Sequence, residues 1–301
     1  MVHKALKRAD THHHAEALAA GLPPLLVAAE RVASTISQGV HGRRRVGQGE
    51  TFWQFRRYQY GDSGQMVDWR QSAKSTPLYV RETEWEAAQC VWLWRDGSPS
   101  MSFQSSSDLG PKSDRADLLL LALASLLVRG GERVALMGTG APPSSGRNVL
   151  ARLWSMIGTR DEIGAIQKSS LPDIEVLPRY ARVAWFGDFL SPLDDVKKAV
   201  SSFANHGVRG HLIQVLDPAE ILFPYEGRVL FSGMERQDQD VLVRHSGAMR
   251  DDYQAAFKAH QGAIRDICSA AGWSFIDHRT DHTPESILLS LYLHFSEMGG
   301  G

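Results

Sequence analysis

The sequence predicts an α/β protein in which helices cover both faces of a mainly parallel sheet. From residue 88 onward, short apolar runs typical of buried strands alternate with longer helical patterns. Two of those runs, 88–95 and 182–187, each end directly before an aspartate, Asp96 and Asp188. Because the carboxyl ends of parallel strands share one edge of a sheet, we expect both aspartates at that edge, where open α/β sheets bind ligands.

The chain divides into three predicted parts. Residues 1–40 form an N-terminal tail and a helix over 15–38, where apolar residues recur at helical spacing. Residues 41–87 are rich in arginine and aromatic residues and contain strand-like pieces such as 77–81. Residues 88–301 form the α/β domain.

Within the α/β domain, each predicted strand is followed by a helical or loop pattern. The predicted strands are 88–95, 133–139, 182–187, 211–216, 228–231 and 273–277, and the predicted helices are 114–129, 148–158, 193–206, 247–271 and 284–298. Ser113 or Asp114 is expected to cap the first of these helices. Its apolar run, Leu118–Val128, is too short to span a bilayer, so we predict no membrane span.

Composition excludes several classes of protein. The formal net charge is −1, so no global electrostatic field favours nucleic acid or a membrane surface. The two cysteines, Cys90 and Cys268, lie in apolar contexts and are expected as free buried thiols. Free thiols fit a reducing compartment, and we predict a cytoplasmic protein.

The segment D-x-S-x-S, formed by Asp96, Ser98 and Ser100, is the first candidate site. Alternate side chains of an extended loop point the same way, so one carboxylate and two hydroxyls converge. Hard oxygen donors of this kind suit Mg²⁺ better than Zn²⁺. Asp188 would add a second carboxylate, and Asp96, at a strand tip, is expected to be exposed.

A third hydroxyl at this edge is predicted from Ser144 or Ser145, which precede the helix at 148. The competing interpretation is purely structural. Asp, Ser and Gly are ordinary turn formers, Asp188 could be a helix N-cap, and the serine pair could be a turn.

The arginine-rich segment is the second candidate site. Between Arg43 and Arg81 there are eight Lys or Arg residues and three acidic ones, with interleaved aromatic residues. Such composition can bind single-stranded nucleic acid, but arginine also forms bidentate ion pairs that fix irregular segments on a domain. We favour the structural role, then a protein partner, over nucleic acid. The residues predicted as anchors or partner contacts are Arg57, Asp68, Trp69, Arg70 and Arg81.

Several motifs resemble known families. D-x-S-x-S after a buried strand is similar to the first motif of the metal-ion-dependent adhesion site of von Willebrand factor A domains. A more specific resemblance, over residues 40–295, is to bacterial domain-of-unknown-function family 58. The motifs that carry it are Gly47-x-Gly49, Asp68-Trp69-Arg70-x-Ser72-Ala73, Leu78-Tyr79-Val80-Arg81-Glu82 and Val215-Leu216-Asp217-Pro218-Ala219-Glu220.

The resemblance implies a von Willebrand factor A-like (Rossmann-like) core and a partnership with a MoxR-type AAA+ ATPase in the assembly or activation of client proteins. It makes Asp96, Ser98 and Ser100 direct ligands of Mg²⁺ or Mn²⁺, and Asp188 a ligand through water. Arg95 stands where the family pattern has an apolar residue, and we expect it either to weaken Mg²⁺ binding or to pair with an acid such as Glu82 or Glu84.

Three functions compete at this stage. The first is a non-enzymatic interaction module, in which a partner carboxylate completes the metal shell. The second is a Mg²⁺-dependent hydrolase, which needs a general base that the spacing does not place beside Asp96. Ser98 also takes the position where an aspartyl nucleophile would have its second acid. The third is a scaffold with a vestigial metal site.

Overall fold

The computed structural model describes residues 24–39, 52–58, 67–74, 77–83, 90–146, 148–163, 169–234 and 240–297. The strands are β1 (Phe52–Arg57), β2 (Tyr79–Thr83), β3 (Cys90–Arg95), β4 (Arg133–Leu136), β5 (Arg182–Gly187), β6 (Arg209–Leu216), β7 (Val229–Phe231), β8 (Val241–Val243) and β9 (Ser274–Arg279). The helices are α1 (Pro24–Gly39), α2 (Trp69–Ser72), α3 (Lys112–Arg129), α4 (Val149–Ile163), α5 (Leu193–Asn205), α6 (Pro218–Leu222), α7 (Arg250–Ala270) and α8 (Pro284–Glu297). Short 3₁₀ turns cover Pro99–Ser102 and Ser246–Met249.

Five of the strands form a parallel sheet in the order β4-β3-β5-β6-β9. The predicted α/β class with a parallel sheet is therefore confirmed. From β3 the chain crosses to β4 on one side and then returns to β5 on the other. The carboxyl ends of β3 and β5 consequently form the topological switch point of the sheet, the usual place for a ligand in such folds.

Helices cover both faces of this sheet, as predicted. Helices α1, α3, α4 and α8 share one apolar core with the sheet, and α5 and α7 share the other. The apolar run of α3 is buried between the sheet and its neighbouring helices. None of the helices in the described ranges is both long and apolar enough to cross a bilayer.

Helix α1 belongs to the same core as the sheet. It begins at Pro24, a residue whose fixed φ and missing N–H suit the first turn of a helix. Ala29 and Ala33 are fully buried and belong to the apolar core that includes α3. The predicted start of this helix, residues 15–23, lies outside the described residues.

The arginine-rich segment contributes an antiparallel pair, β1 and β2, with the single turn α2 between them. The hydroxyl of Ser72 accepts a hydrogen bond of 2.9 Å from the backbone N–H of Tyr79, which ties α2 to β2. The predicted packing of this segment on the α/β domain, and the predicted boundary at residues 87 and 88, stay predictions.

A second antiparallel pair, β7 and β8, forms a hairpin between α6 and α7. The sequence predicted β7 but not β8, although both are apolar strands of three residues.

Candidate functional site

Asp96 and Asp188 lie at the same edge of the sheet, as predicted. They follow the neighbouring parallel strands β3 and β5, and the backbone N–H of Asp96 donates to the carbonyl of Phe186 at 2.8 Å. Gly187 is required between them. A Cβ at this position would lie 2.8 Å from the Asp96 Cβ and 3.0 Å from its Oδ2, so the absent side chain makes room for the Asp96 carboxylate.

A chain of hydrogen bonds connects the two aspartates. The backbone N–H of Ser98 donates to Asp96 Oδ1 at 2.8 Å, and the hydroxyls of Ser98 and Ser100 are 3.0 Å apart. The Ser100 hydroxyl donates to Asp188 Oδ2 at 2.6 Å. The structure thus brings together four of the five predicted metal ligands, and we call Asp96, Ser98, Ser100 and Asp188 the rim cluster.

The rim cluster is mostly buried. Asp96, Ser98 and Asp188 are at most 3% exposed, and Ser100 is half-buried. The expectation that Asp96 is exposed is therefore wrong, because its side chain packs over Gly187 rather than projecting beyond the sheet. Burial, and next the nearby charge of Asp188, raise the pKa of Asp96 to about 7. Its Oδ2 has no hydrogen-bond partner among the described residues.

A fully buried lysine, Lys112, contacts the rim cluster. Its ammonium donates to Asp188 Oδ2 at 2.9 Å and to Glu220 Oε1 at 2.6 Å. Burial by itself lowers the pKa of Lys112, but the charges of Asp188 and Glu220 outweigh it and the pKa is raised. Lys112 is also the first residue of α3, where the helix dipole disfavours a cation. The two carboxylates are therefore what keeps the ammonium in place.

Glu220 is held by the N-terminal cap of α6. Asp217 accepts from the Ala219 N–H, and Glu220 Oε2 accepts from the Asp217 N–H at 2.8 Å, which forms a capping box. The other carboxylate oxygen of Asp217 accepts from the Ser105 N–H at 2.9 Å. This links the loop before α3 to α6, next to the rim cluster.

Sequence reasoning missed Lys112 and the role of Glu220. Helix α3 begins after Pro111, with Lys112 as its first residue, and neither Ser113 nor Asp114 caps it. The capping-box signature Asp-Pro-x-Glu at 217–220 could have located Glu220, since it predicts a helix start directly after a strand. No local pattern could have paired it with Lys112, because 108 positions separate the two residues.

Arg95 pairs with an acid of α3. Its predicted partners, Glu82 and Glu84, have side chains outside the described part, so that pairing stays a prediction. The Nε of Arg95 donates to Asp117 Oδ1 of α3 at 2.8 Å, and both side chains are about 8% exposed. Strand alternation places Arg95 on the face that α3 covers, so its acid comes from that helix.

Ser145 is not part of the rim cluster, and neither is Ser144. Ser144 pairs with Val134 in an isolated bridge, and Val134 lies opposite Val91, near the amino end of β3. That is five residues, or about 16 Å of extended strand, before Asp96. Ser145 instead lines a cavity of about 400 Å³ beside Glu30 and Arg129. The prediction was wrong because the loop after β4 turns back along the strand.

The predicted anchors of the arginine-rich segment are largely at the surface. Trp69 is 67% exposed, and Arg57 and Arg70 are also exposed. The prediction that Trp69 is a buried anchor is therefore wrong. The prediction that it contacts a partner protein stays a prediction. Asp68 is half-buried and donates its backbone N–H to Tyr79, whereas the side chain of Arg81 lies outside the described part.

The residues at the rim cluster fit a small divalent cation. Carboxylate and hydroxyl oxygens are the donors that Mg²⁺ and Mn²⁺ prefer, and the unpartnered Oδ2 of Asp96 is a buried atom that lacks a donor or cation. If all three carboxylates, those of Asp96, Asp188 and Glu220, are ionised, they carry three negative charges. Lys112 supplies one positive charge, which leaves a net charge of −2. No group of three or more His, Cys, Asp or Glu suited to a metal occurs in the described ranges, so an ion here depends on the serine hydroxyls.

A family model for a protein of unknown function, DUF58, matches residues 54–263. The uncharacterized proteins Rv1480 of Mycobacterium tuberculosis and Mb1516 of Mycobacterium bovis are each 28% identical over 278 residues, covering 88% of this chain and 85% of theirs. The family match runs from β1 into α7 and includes the rim cluster, Lys112 and Glu220.

Three solved structures are similar at a low level. BatB from Bacteroides thetaiotaomicron has a TM-score of 0.42 at 14% identity, over 71% of this chain and 100% of its own. An aerotolerance-related membrane protein from Bacteroides fragilis has a TM-score of 0.43 at 16% identity, over 70% and 100%. The SpRpn10 VWA domain has a TM-score of 0.31 at 10% identity, over 71% and 98%. The von Willebrand factor A-like class itself stands on the parallel sheet, the two helical layers and D-x-S-x-S at the switch point.

Proposed function

Because this chain belongs to the DUF58 family, whose function is unknown, we propose its function from the rim cluster: a non-enzymatic module that binds a protein partner at the carboxyl edge of its sheet. The observation that carries the proposal is the convergence of Asp96, Ser98, Ser100 and Asp188 at the switch point. Their hydrogen-bonded chain spans two neighbouring strands, and it leaves one buried carboxylate oxygen without a partner in the described part of the chain.

The proposed cofactor is Mg²⁺ or Mn²⁺, held by the four residues of the rim cluster. A bound cation would supply positive charge and an open coordination position for a carboxylate of the partner protein. The half-buried Ser100 is the most exposed of the four residues, so the partner would approach from its side.

The environment of the cluster supports binding rather than hydrolysis. A hydrolase needs a general base or nucleophile that is free to react. Among the described residues, Lys112 and Arg95 are the cations at the cluster, and neither is free. Lys112 is paired with two carboxylates, and Arg95, whose Nη1 donates to the Asp96 carbonyl at 3.2 Å, is paired with Asp117. Asp96, with its pKa raised to about 7, is fully buried and does not reach a substrate directly. We therefore propose the interaction module over the hydrolase.

The proposed partner is a MoxR-type AAA+ ATPase together with its client proteins, in the cytoplasm, without a role in nucleic-acid binding. The resemblance of the sequence motifs supports the ATPase. The near-neutral net charge supports a protein partner over nucleic acid.

Isothermal titration of the full chain with Mg²⁺ and Mn²⁺, followed by co-purification with a MoxR-type ATPase from the same cell, tests this proposal. We expect wild type to bind both, and Asp96→Asn and Ser98→Ala/Ser100→Ala to lose both. Ser145→Ala is the matched control and should behave as wild type, since Ser145 lies at the other edge. If the folded rim variants retain the ATPase as well as wild type does, the rim cluster is not the docking site.

A further inference from the structure

The β7–β8 hairpin presents a pair of leucines that are each about half exposed. Leu230 and Leu242 lie opposite each other across the two strands, so their side chains share one face. Leu230 is 57% exposed and Leu242 is 46% exposed. Isolated exposed leucines are common on protein surfaces, but adjacent large apolar side chains on a defined face are typical of interaction sites.

The opposite face of the hairpin is fixed to the domain. Phe231 stacks on Phe223 with ring centroids 5.6 Å apart and meets the ring of Tyr225 edge-on at 5.3 Å. Phe223 in turn packs against Tyr253 of α7 at 4.5 Å. Because successive strand residues alternate between faces, anchoring Phe231 directs Leu230 outward. The leucine pair is therefore presented on an anchored support.

Two arginines border the leucine pair. Arg228 directly precedes β7 and Arg244 directly follows β8, so both lie at the open end of the hairpin, and both are exposed. Neither forms an ion pair or side-chain hydrogen bond with any residue that the structure describes. Asp240 lies at the opposite end, before β8. The open end therefore carries two guanidinium groups that no carboxylate of the described residues pairs with, and guanidinium groups bind carboxylates in bidentate geometry.

The hairpin is joined closely to the rim cluster. Helix α6 carries Glu220, which binds Lys112, and Phe223 directly follows this helix. The hydroxyl of Tyr253 donates to the Glu220 carbonyl at 2.8 Å. The aromatic support of the hairpin is thus bonded to the residues that hold the rim cluster.

We infer that the outer face of the β7–β8 hairpin docks an acidic segment of the partner protein that carries aliphatic side chains. Its aliphatic groups would cover Leu230 and Leu242, and its carboxylates would pair with Arg228 and Arg244. The inference rests on the proposed interaction function and adds the chemistry of the partner. It needs no cation.

The test uses the full chain in EDTA and two fluorescein-labelled octapeptides, one alternating leucine with aspartate and the other leucine with lysine. In fluorescence anisotropy, we expect the aspartate peptide to bind at least about tenfold more tightly than the lysine peptide. The difference should shrink between about 50 mM and about 300 mM salt, because screening weakens exposed charge pairs.

Variants test whether the peptides bind at the outer face of the hairpin. Leu230→Ser/Leu242→Ser should weaken the aspartate peptide at least about tenfold, and Arg228→Glu/Arg244→Glu should reverse the preference between the peptides. The control is Ile174→Ser/Val176→Ser, since these residues are 70% and 93% exposed elsewhere on the surface. It should leave binding unchanged.

Equal affinity for the two peptides, or wild-type affinity in both hairpin variants, would overturn the inference. Should the leucine variant fail to fold, the charge-reversed variant decides, because both of its substitutions are at exposed positions. Asp96→Asn should bind the aspartate peptide normally in EDTA. A failure of the rim proposal therefore leaves this result intact, and the two failures can be told apart.

Discussion

The two edges of the central sheet carry ionic groups of the same kind in opposite environments, and helix α3 connects them. At the carboxyl edge, Lys112 begins α3 and is fully buried between Asp188 and Glu220. At the amino edge, Arg129 ends α3 and pairs with Glu30 of α1, with the two side chains 41% and 37% exposed. Each edge thus has a cation from α3 and acid from elsewhere in the chain.

The two cations differ in the free energy needed to hold them in the folded protein. Arg129 is stabilised by the negative end of the helix dipole and stays hydrated. Its ion pair therefore contributes little to the free energy of unfolding. Lys112 opposes the dipole and is out of water, so it is retained only while both carboxylates remain charged. We infer from this that the carboxyl edge is built for function and the amino edge for ordinary packing. Three predictions test this contrast, and a fourth tests the arginine-rich segment.

The largest effect is expected from Lys112→Met. Removing the ammonium leaves the buried carboxylates of Asp188 and Glu220 without their cation, which should lower the free energy of unfolding by about 3–5 kcal/mol. Urea denaturation measures the loss. The matched control is Arg129→Met at the other end of the helix, which should cost about 0–1 kcal/mol. Comparable losses in the two variants would refute the contrast between the edges.

Divalent cations should stabilise the protein through the carboxyl edge alone. A hundredfold excess of Mg²⁺ over its dissociation constant should add about 2.7 kcal/mol to the free energy of unfolding. Thermal melts in Mg²⁺ and in EDTA measure it. Ser98→Ala/Ser100→Ala should abolish the shift and Ser145→Ala should keep it. Identical wild-type melts with and without Mg²⁺ would show a vestigial site.

Acid should remove stability through a buried neutral histidine near each edge. At the carboxyl edge the raised pKa of Asp96, about 7, opposes this loss, because the folded protein takes up that proton before the unfolded chain does. Burial lowers the pKa of His211, near the amino edge, and of His278, near the carboxyl edge, to about 4 each. As pH falls below the unfolded value of 6.5, only the unfolded chain binds the proton, so stability is lost until about pH 4. Between pH 7 and pH 5 each residue should cost about 2 kcal/mol. Urea denaturation at both pH values tests this.

Variants separate the two histidines. His211→Gln and His278→Gln should each remove about 2 kcal/mol of the acid-dependent loss, whatever their effect at pH 7. A wild-type dependence on pH in both variants would mean that other groups titrate.

The smallest effect is expected from Trp69→Ala and Arg70→Ala. Both residues are exposed, so the free energy of unfolding should change by no more than about 0.5 kcal/mol. Chemical denaturation checks this against the sequence-based expectation of a destabilised fold. A loss above about 2 kcal/mol would restore the anchoring role.

Most of the fold, and much of the rim cluster, could be predicted from sequence. Buried apolar strands and the apolar face of α3 have local signatures, because burial on both faces demands continuous hydrophobic runs. Asp96, Ser98, Ser100 and Asp188 were found because parallel strands align their carboxyl ends. Ser145 was misplaced because a loop of irregular residues carries no periodicity that fixes its direction.

The sequence by itself determined the α/β class, the switch-point aspartates and the family. The α/β class and the family follow from short-range sequence patterns. The position of the aspartates follows from the rule that parallel strands place their carboxyl ends at one edge of the sheet. Only the tertiary structure decided that Lys112 joins Asp188 to Glu220, that Arg95 pairs with Asp117 and that Trp69 is exposed. These features depend on which side chains become neighbours once distant segments pack. How far a charged group is removed from water depends on the whole fold. The same packing decides which group of opposite charge becomes its partner.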